Sequence, residues 1–384
     1  MDFSKRVKSI SASQTLKITS VIKRLKREGE PVINFAAGEP NFDTPDEIKS
    51  YAKDSIDGGF TKYTPVAGMP ELREEISKKF RAQNNLKYNP DQIVVSNGAK
   101  HSLMNVLMAL IDVGDEVIIM APYWLSYTEM VKLSSGVPVI VSSSKESGFR
   151  PDFDKLKAAI TKKTKCIILN SPTNPTGMVW REDELEHLGK IALEKNILII
   201  SDEIYEHLVY EDKHISIGSL SEDIFNNTIT INGVSKSHAM TGWRIGWIGA
   251  NIELVSEVTK MQSQMTSNAS SISQRAAIAA LRMDDSWLSF IKKEFRERRD
   301  VMMQMLDNYG ISFIKPEGAF YLFMDISKFQ NGSFSFAQDL LDKKLVGVIP
   351  GEPFGADDYV RLSYAASIEE IKEGVDRVGS FLDG

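Results

Sequence analysis

From about Gln92 onward, short apolar runs recur along the chain without polar alternation: IVVS (93–96), EVIIM (116–120), VPVIV (137–141), CIILN (166–170), ILIIS (197–201), TITIN (228–232) and RIGWIGA (244–250). Runs of this kind suit strands buried on both faces, as in a mostly parallel sheet covered by helices. Helix-like stretches such as Glu182–Lys195 lie between several of them. The pattern predicts a doubly wound α/β domain. Ligands in such sheets bind beyond the carboxyl ends of the strands. The residues falling there are Asn97-Gly98-Ala99-Lys100, Tyr123-Trp124, Asn170 to Asn174, Asp202 to Tyr205 and Ser235-Lys236. All but Ala99, Pro172 and Ile204 are polar, aromatic or glycine, so sequence order alone collects a candidate site.

The flanks read differently. Ile18, Val21, Ile22 and Leu25 fall at helical spacing between Ser13 and Glu28, and Gly29 and Pro31 stop that helix. In TPDE (44–47), Thr44 is a good N-cap, Pro45 suits the first helical position and Glu47 can close a capping box, which predicts a helix running toward Gly58. A long helix is expected from Asp285 to Tyr309, with its KKEFRERRD run as a solvated face. After it, ISFIKPEGAFYLFMDI, VGVIPG and YVRLSYA suggest a smaller α+β domain. The division expected is residues 1–45 as an N-terminal arm and part of the small domain, 46–290 as the large domain, and 291–384 as the C-terminal small domain.

The 384 residues are 42% hydrophobic and 26% charged, ordinary globular values, and the net charge of −6 argues against a general nucleic-acid surface. No apolar run approaches the ~20 residues that cross a bilayer. The N-terminal MDFSKRVKSISASQ has basic residues but no apolar signal core after them. A single cysteine, Cys166, has no internal disulfide partner and reads as a buried small hydrophobe, so a reducing cytoplasmic location is expected. The five histidines show no metal-ligand spacing, so no metal is expected; His207 falls four residues after Glu203 on an expected helix, and His238 is expected to pack.

Cations are concentrated in the collected loops: Lys236, Arg244, Lys100 and, from YVRLSYA, Arg361. Such a site suits an anionic ligand. SNGAKHS follows a strand and opens a helix, so its backbone N–H groups can hold a phosphate. It lacks the Gly-Lys-Ser/Thr ending of a Walker loop, and no Gly-x-Gly-x-x-Gly follows a strand. A phosphate-bearing cofactor that needs both an amine and a carboxylate is pyridoxal 5′-phosphate. Lys236 can form its Schiff base, Asp202 can pair with the ring nitrogen, Trp124 can cover one ring face, and Tyr205 and Asn174 can donate to the ring oxygen.

GVSKSHAMTGWRIG (233–246), NSPTNPTG (170–177), SDEIYEHLVY (201–210), AAGEPNFDTP (36–45), KYTPVAG (62–68), APYW (121–124) and VRLSYA (360–365) together resemble the signature blocks of the class I and II aminotransferases, in the family's order and over nearly the whole chain. The resemblance implies fold type I and pyridoxal phosphate dependence. It implies that Lys236 is the Schiff-base lysine and proton carrier, Asp202 the ring-nitrogen partner, and Asn174 and Tyr205 the partners of the ring oxygen. Trp124 is implied as the stacking aromatic. Arg244 with Gly98, Ala99 and Lys100 is implied as the phosphate cradle, and Tyr63 as a tyrosine reaching the phosphate of the other subunit of a homodimer with shared sites. Arg361, helped by Gly38 and Asn174, is implied as the clamp on the substrate α-carboxylate, a bidentate task for a planar guanidinium. The sequence departs from the pattern at Gly233, where many members have a phosphate-holding serine; Ser235 stands next to the lysine instead.

In the bacterial aspartate-type members, a lysine and an N-terminal threonine are implicated in acidic-substrate recognition, and Lys100 and Thr15 match them. L-Aspartate with 2-oxoglutarate is the expected pair. Some similar members also convert prephenate to arogenate with the same two residues. A pyridoxal-phosphate lyase or decarboxylase, and a non-enzymatic regulator on this scaffold, are the alternatives. The regulator is disfavoured because regulators of that kind carry an N-terminal DNA-binding domain, for which the first ~45 residues leave little room.

Overall fold

The computed structural model describes residues 2–11 and 14–383, with the backbone alone at 14–17. The predicted apolar runs form one seven-stranded sheet. Its order across the sheet is Ile93–Ser96, Gly246–Gly249, Thr228–Gly233, Leu198–Asp202, Thr164–Asn170, Glu116–Ala121 and Val137–Ser142. Only Gly246–Gly249 runs against its neighbours; the other pairings are parallel. Successive side chains enter opposite cores: Ile118, Ile167 and Ile199 pack on one face, and Val117, Ile119, Cys166, Ile168 and Ile200 on the other. Helices cover both faces, so neither needed polar residues. Cys166 is fully buried, and burial pushes its thiol up to about 12, so it stays protonated.

The C-terminal part has a four-stranded antiparallel sheet, ordered Ile349–Pro350, Tyr359–Ser363, Tyr321–Asp325 and Phe313–Ile314. The helices Ser286–Asn308 and Ile368–Leu382 share a core with it through Phe295, Met302, Leu306, Phe320, Leu322, Val375 and Val378. Near the other terminus, Ile33–Asn34 pairs in parallel with Val346–Gly347, which ties the segment after the helix Gln14–Arg27 to this C-terminal part.

Three local expectations need correction. The second helix spans Asp46–Asp57 with Pro45 in the cap position and no side-chain cap. Thr44 is drawn away by tertiary partners: its hydroxyl donates to the Ala239 carbonyl (2.8 Å) and accepts from Trp243 Nε1 (3.0 Å). The KKEFRERRD run is not a uniformly solvated face. Arg298 and Arg299 are buried, with guanidiniums 4.5 Å from the Phe42 ring and 4.7 Å from the Tyr210 ring, and Arg299 donates to Glu211 (3.0 Å). Flat, delocalised cations can cover aromatic faces in a way that a charge count does not register. Glu203 to Leu208 forms a turn rather than a helix, so His207 is not one helical turn from Glu203.

Candidate active site

Parallel strands bring their carboxyl ends to one edge, and there the predicted residues meet. Asp202 closes its strand in register with Asn170 on one side and Ile231 on the other. Its Oδ2 accepts from the Tyr127 hydroxyl (2.7 Å), its Oδ1 from the Ile204 N–H (3.3 Å), and its carbonyl from Asn170 Nδ2 (2.9 Å). It forms no ion pair among the described residues. Burial raises its carboxyl to about 6; the Tyr127 and Ile204 hydrogen bonds oppose the rise and the Glu203 charge adds to it.

Lys236 lies in the turn after Thr228–Gly233. Its Nζ donates to the Gly38 carbonyl (2.6 Å) and lies 6.0 Å from the Tyr205 ring centroid and 5.8 Å from that of Phe320. Burial is the main reason its amine is lowered to about 8; Arg361 and Arg244 push the same way, while Glu39 and Asp202 resist. Gly233 is where a serine stands in many members of the family it resembles. A Cβ there would sit 2.8 Å from the Ile245 carbonyl oxygen and 3.0 Å from the Gly246 Cα, so glycine suits the close strand contact. Ser235 is buried, and its carbonyl accepts from the Met240 N–H (3.2 Å).

Gly98 has φ +88° and precedes the helix Ala99–Leu110, whose first N–H groups point out of the helix end. A Cβ on Gly98 would lie 2.5 Å from Arg244 Nη2, and one on Gly246 would lie 2.2 Å from the Ala99 nitrogen. Two missing side chains therefore let a guanidinium and a helix start come together. Arg244 donates to the carbonyls of Thr241 (2.9 Å) and Asn97 (3.3 Å), and no acidic side chain pairs with it among the described residues. Lys100 places its ammonium 4.8 Å from the Trp124 ring centroid, and Trp124 meets Tyr127 edge-on at 5.3 Å. Burial, reinforced by Arg244, lowers the Lys100 amine.

Arg361 is 3% exposed. Its Nη1 donates to Asn174 Oδ1 (2.9 Å), its Nη2 to the Ala36 carbonyl (3.3 Å), and its Nε has no partner. The guanidinium lies 4.2 Å from the Tyr321 ring centroid. No carboxylate neutralises it among the described residues. Asn174 is itself held by its N–H donating to Asn170 Oδ1 (2.9 Å). The Tyr205 and Tyr321 hydroxyls are 2.9 Å apart. Tyr63 is 92% exposed. The Thr15 side chain lies outside the described residues.

Sequence reasoning missed Tyr127 and Tyr321. Tyr127 follows the quoted APYW block on the helix Ser126–Leu133, and Tyr321 opens the apolar strand Tyr321–Asp325. The only signal for either was a phenol in an otherwise apolar setting, where a buried hydroxyl needs a partner. Glu203, Glu206 and His214 also come close enough to hold a cation. The Lys79 ammonium already bonds Glu206 and Asn84 Oδ1 (2.6 Å), and His214 Nε2 lies 3.0 Å from Glu203, so this cluster is compensated from within.

The donor set fits a phosphorylated pyridine aldehyde. It offers a low-pKa amine, a buried carboxylate lacking a cation, a glycine-lined helix start beside an unpaired arginine, and a buried arginine lacking an anion. With this sheet, that is the architecture of a fold type I pyridoxal-phosphate enzyme. The model of the family described as aminotransferase class I and II matches residues 30–378, and the chain belongs to that family. It is 46% identical to the aspartate aminotransferase of Bacillus sp. (strain YM-2), over 98% of each chain. It is 41% identical to a probable aspartate/prephenate aminotransferase of Thermus aquaticus, over 99% of each. Thermus thermophilus aspartate aminotransferase, solved with maleate, superposes with a TM-score of 0.96 at 39% identity and 99% coverage of both chains. The protein is an aminotransferase with pyridoxal 5′-phosphate as its cofactor.

Proposed function

We propose that the protein exchanges amino groups between L-aspartate and 2-oxoglutarate, giving oxaloacetate and L-glutamate by a two-stage exchange in one site. The observation that carries this is Arg361: a buried cation with a free Nε and no anionic partner among the described residues, near the lysine and carboxylate that a pyridoxal enzyme requires. The aspartate aminotransferases to which the chain is similar support the choice of substrate.

Bound pyridoxal phosphate supplies an electron sink for the pair left at the substrate α-carbon. Lys236 holds the cofactor through its amine. Once free of the cofactor, that amine would take the proton from the substrate α-carbon. A pKa near 8 gives the neutral amine a larger share at neutral pH than an exposed lysine has. Asp202, fixed by Tyr127, pairs with the protonated ring nitrogen, and the buried carboxylate gains the cation it lacks. Tyr205 and Asn174 would donate to the ring oxygen, and Trp124 would cover a ring face. Arg244, Ser235 and the N–H groups of Gly98, Ala99 and Lys100 hold the phosphate, joined by Tyr63 from a second copy. A tyrosine that is 92% exposed on one subunit suits that reach. Arg361 grips the α-carboxylate with Asn174 and Gly38, and Lys100 and Thr15 receive the distal carboxylate.

The working unit in this reading is a cytoplasmic homodimer, with residues 46–290 as the cofactor-binding domain, 291–384 as the small domain and 1–45 as its N-terminal complement. No helix among the described residues is long and apolar enough to cross a membrane. A second reading adds prephenate as amino acceptor, supported by the relative named for aspartate and prephenate.

A spectral test separates these readings. Aspartate should convert the cofactor to its amine form, and 2-oxoglutarate should restore the aldehyde form. Prephenate restoring it as well would extend the substrate range. Failure of any oxo acid to restore it would favour lyase or decarboxylase chemistry.

A further inference from the structure

Tyr321 stands between the two halves of the site. It lies on the strand Tyr321–Asp325 of the small sheet, opposite Ser363 and two register positions from Arg361, which pairs with Phe323, on the neighbouring strand Tyr359–Ser363. The Tyr321 ring lies under the Arg361 guanidinium (4.2 Å), and its hydroxyl is 2.9 Å from that of Tyr205. A Cβ on Gly38, whose carbonyl accepts from Lys236, would be 3.7 Å from the same hydroxyl. Tyr321 is 1% exposed, and among the described residues its hydroxyl bonds only that of Tyr205.

We propose that Tyr321 is a positioning residue that donates its O–H to the Tyr205 oxygen, which leaves the Tyr205 O–H free to donate to the cofactor ring oxygen, while its ring seats the Arg361 clamp. This rests on the reading that Tyr205 faces the ring oxygen and Arg361 the substrate carboxylate. A phenol that accepts one hydrogen bond donates a stronger one. The Tyr321 donation therefore stabilises negative charge on the ring oxygen, which favours the unprotonated lysine–cofactor linkage. The other groups facing that linkage are Asp202, Glu39, Arg244 and Arg361, and all remain in the variants below.

The test is a spectrophotometric pH titration of the lysine–cofactor linkage in holoenzyme: parent protein, Tyr321→Phe, Tyr205→Phe and the double variant. Tyr321→Phe should raise the titration midpoint by about 0.5, consistent with one polarising bond, and Tyr205→Phe by more. In the Tyr205→Phe background, Tyr321→Phe should add nothing. No shift in Tyr205→Phe would overturn the reading of Tyr205, and the proposal with it. A shift in Tyr205→Phe with none in Tyr321→Phe, or an unchanged Tyr321 effect without Tyr205, would overturn the proposal alone. Maleate binding tests the ring's role. Tyr321→Phe keeps an aromatic face under Arg361 and should hold affinity within about twofold, whereas Tyr321→Leu should weaken it about tenfold. Equal affinities for the Phe and Leu variants would remove Arg361 from the assignment.

Discussion

Asp202 and Glu206 lie four residues apart, both buried, and they carry opposite kinds of electrostatics. Glu206 has its cation: the Lys79 ammonium bonds it directly, and Lys79 and His207 hold its carboxyl well below the ordinary range against the cost of burial. Asp202 has only neutral donors, and burial raises its carboxyl to about 6. The same contrast separates Lys79 from Arg361, one paired and the other without an anion among the described residues. Buried charges that find partners within the chain serve the fold. Buried charges left without one mark where a ligand completes the pairing.

The comparison can be broken most severely at Arg361. Arg361→Leu should lower kcat/KM on the order of 10²–10³-fold for every amino acid tested, because it removes the grip on the carboxylate that all of them share. A loss confined to dicarboxylates would move Arg361 to the distal end of the substrate. At the paired site the cost should fall on folding instead. Lys79→Met should destabilise the protein by about 3–5 kcal/mol in chemical denaturation, since it strands Glu206, and Lys79→Met with Glu206→Leu should recover much of that. If the double variant is as unstable as the single one, the pair is not self-contained.

The smallest effect concerns the sign of a pH dependence. In cofactor-free protein the Asp202 carboxyl holds its proton more tightly folded than unfolded, so its stabilising contribution is present below about pH 4 and lost as pH rises through about 6. Asp202→Asn should therefore leave cofactor-free protein more stable above pH 6, by at most about 3 kcal/mol, while weakening cofactor binding. Denaturation across pH 4–8 checks this. A variant less stable than its parent at pH 7 would mean that Asp202 serves the fold, as Glu206 does.

Much of this was legible in the chain. Uninterrupted apolar runs mark strands buried on both faces, and the residues at their carboxyl ends therefore share an edge. That logic brought Asp202, Lys236, Asn174 and Gly98 together before any coordinates. What it could not see were pairings made across the fold. Thr44 has the local chemistry of a helix cap, but Ala239 and Trp243, some 200 residues away, claim its hydroxyl. Arg298 and Arg299 look like solvated charges until Phe42 and Tyr210 pack against them. Tyr127 and Tyr321 lie in otherwise apolar settings, and the bonds their hydroxyls make across the fold, to Asp202 and Tyr205, have no local signature. Gly246 betrays nothing in sequence, yet its missing side chain admits the start of the helix Ala99–Leu110.

The proposed chemistry requires the Lys236 amine to be covalently joined to the cofactor. Borohydride reduction of the holoenzyme followed by peptide mapping tests this directly. A pyridoxyl label is expected on the peptide containing Lys236, and no label there after prior conversion of the cofactor to its amine form by aspartate. A label on another lysine, or none on that peptide in untreated holoenzyme, would contradict it.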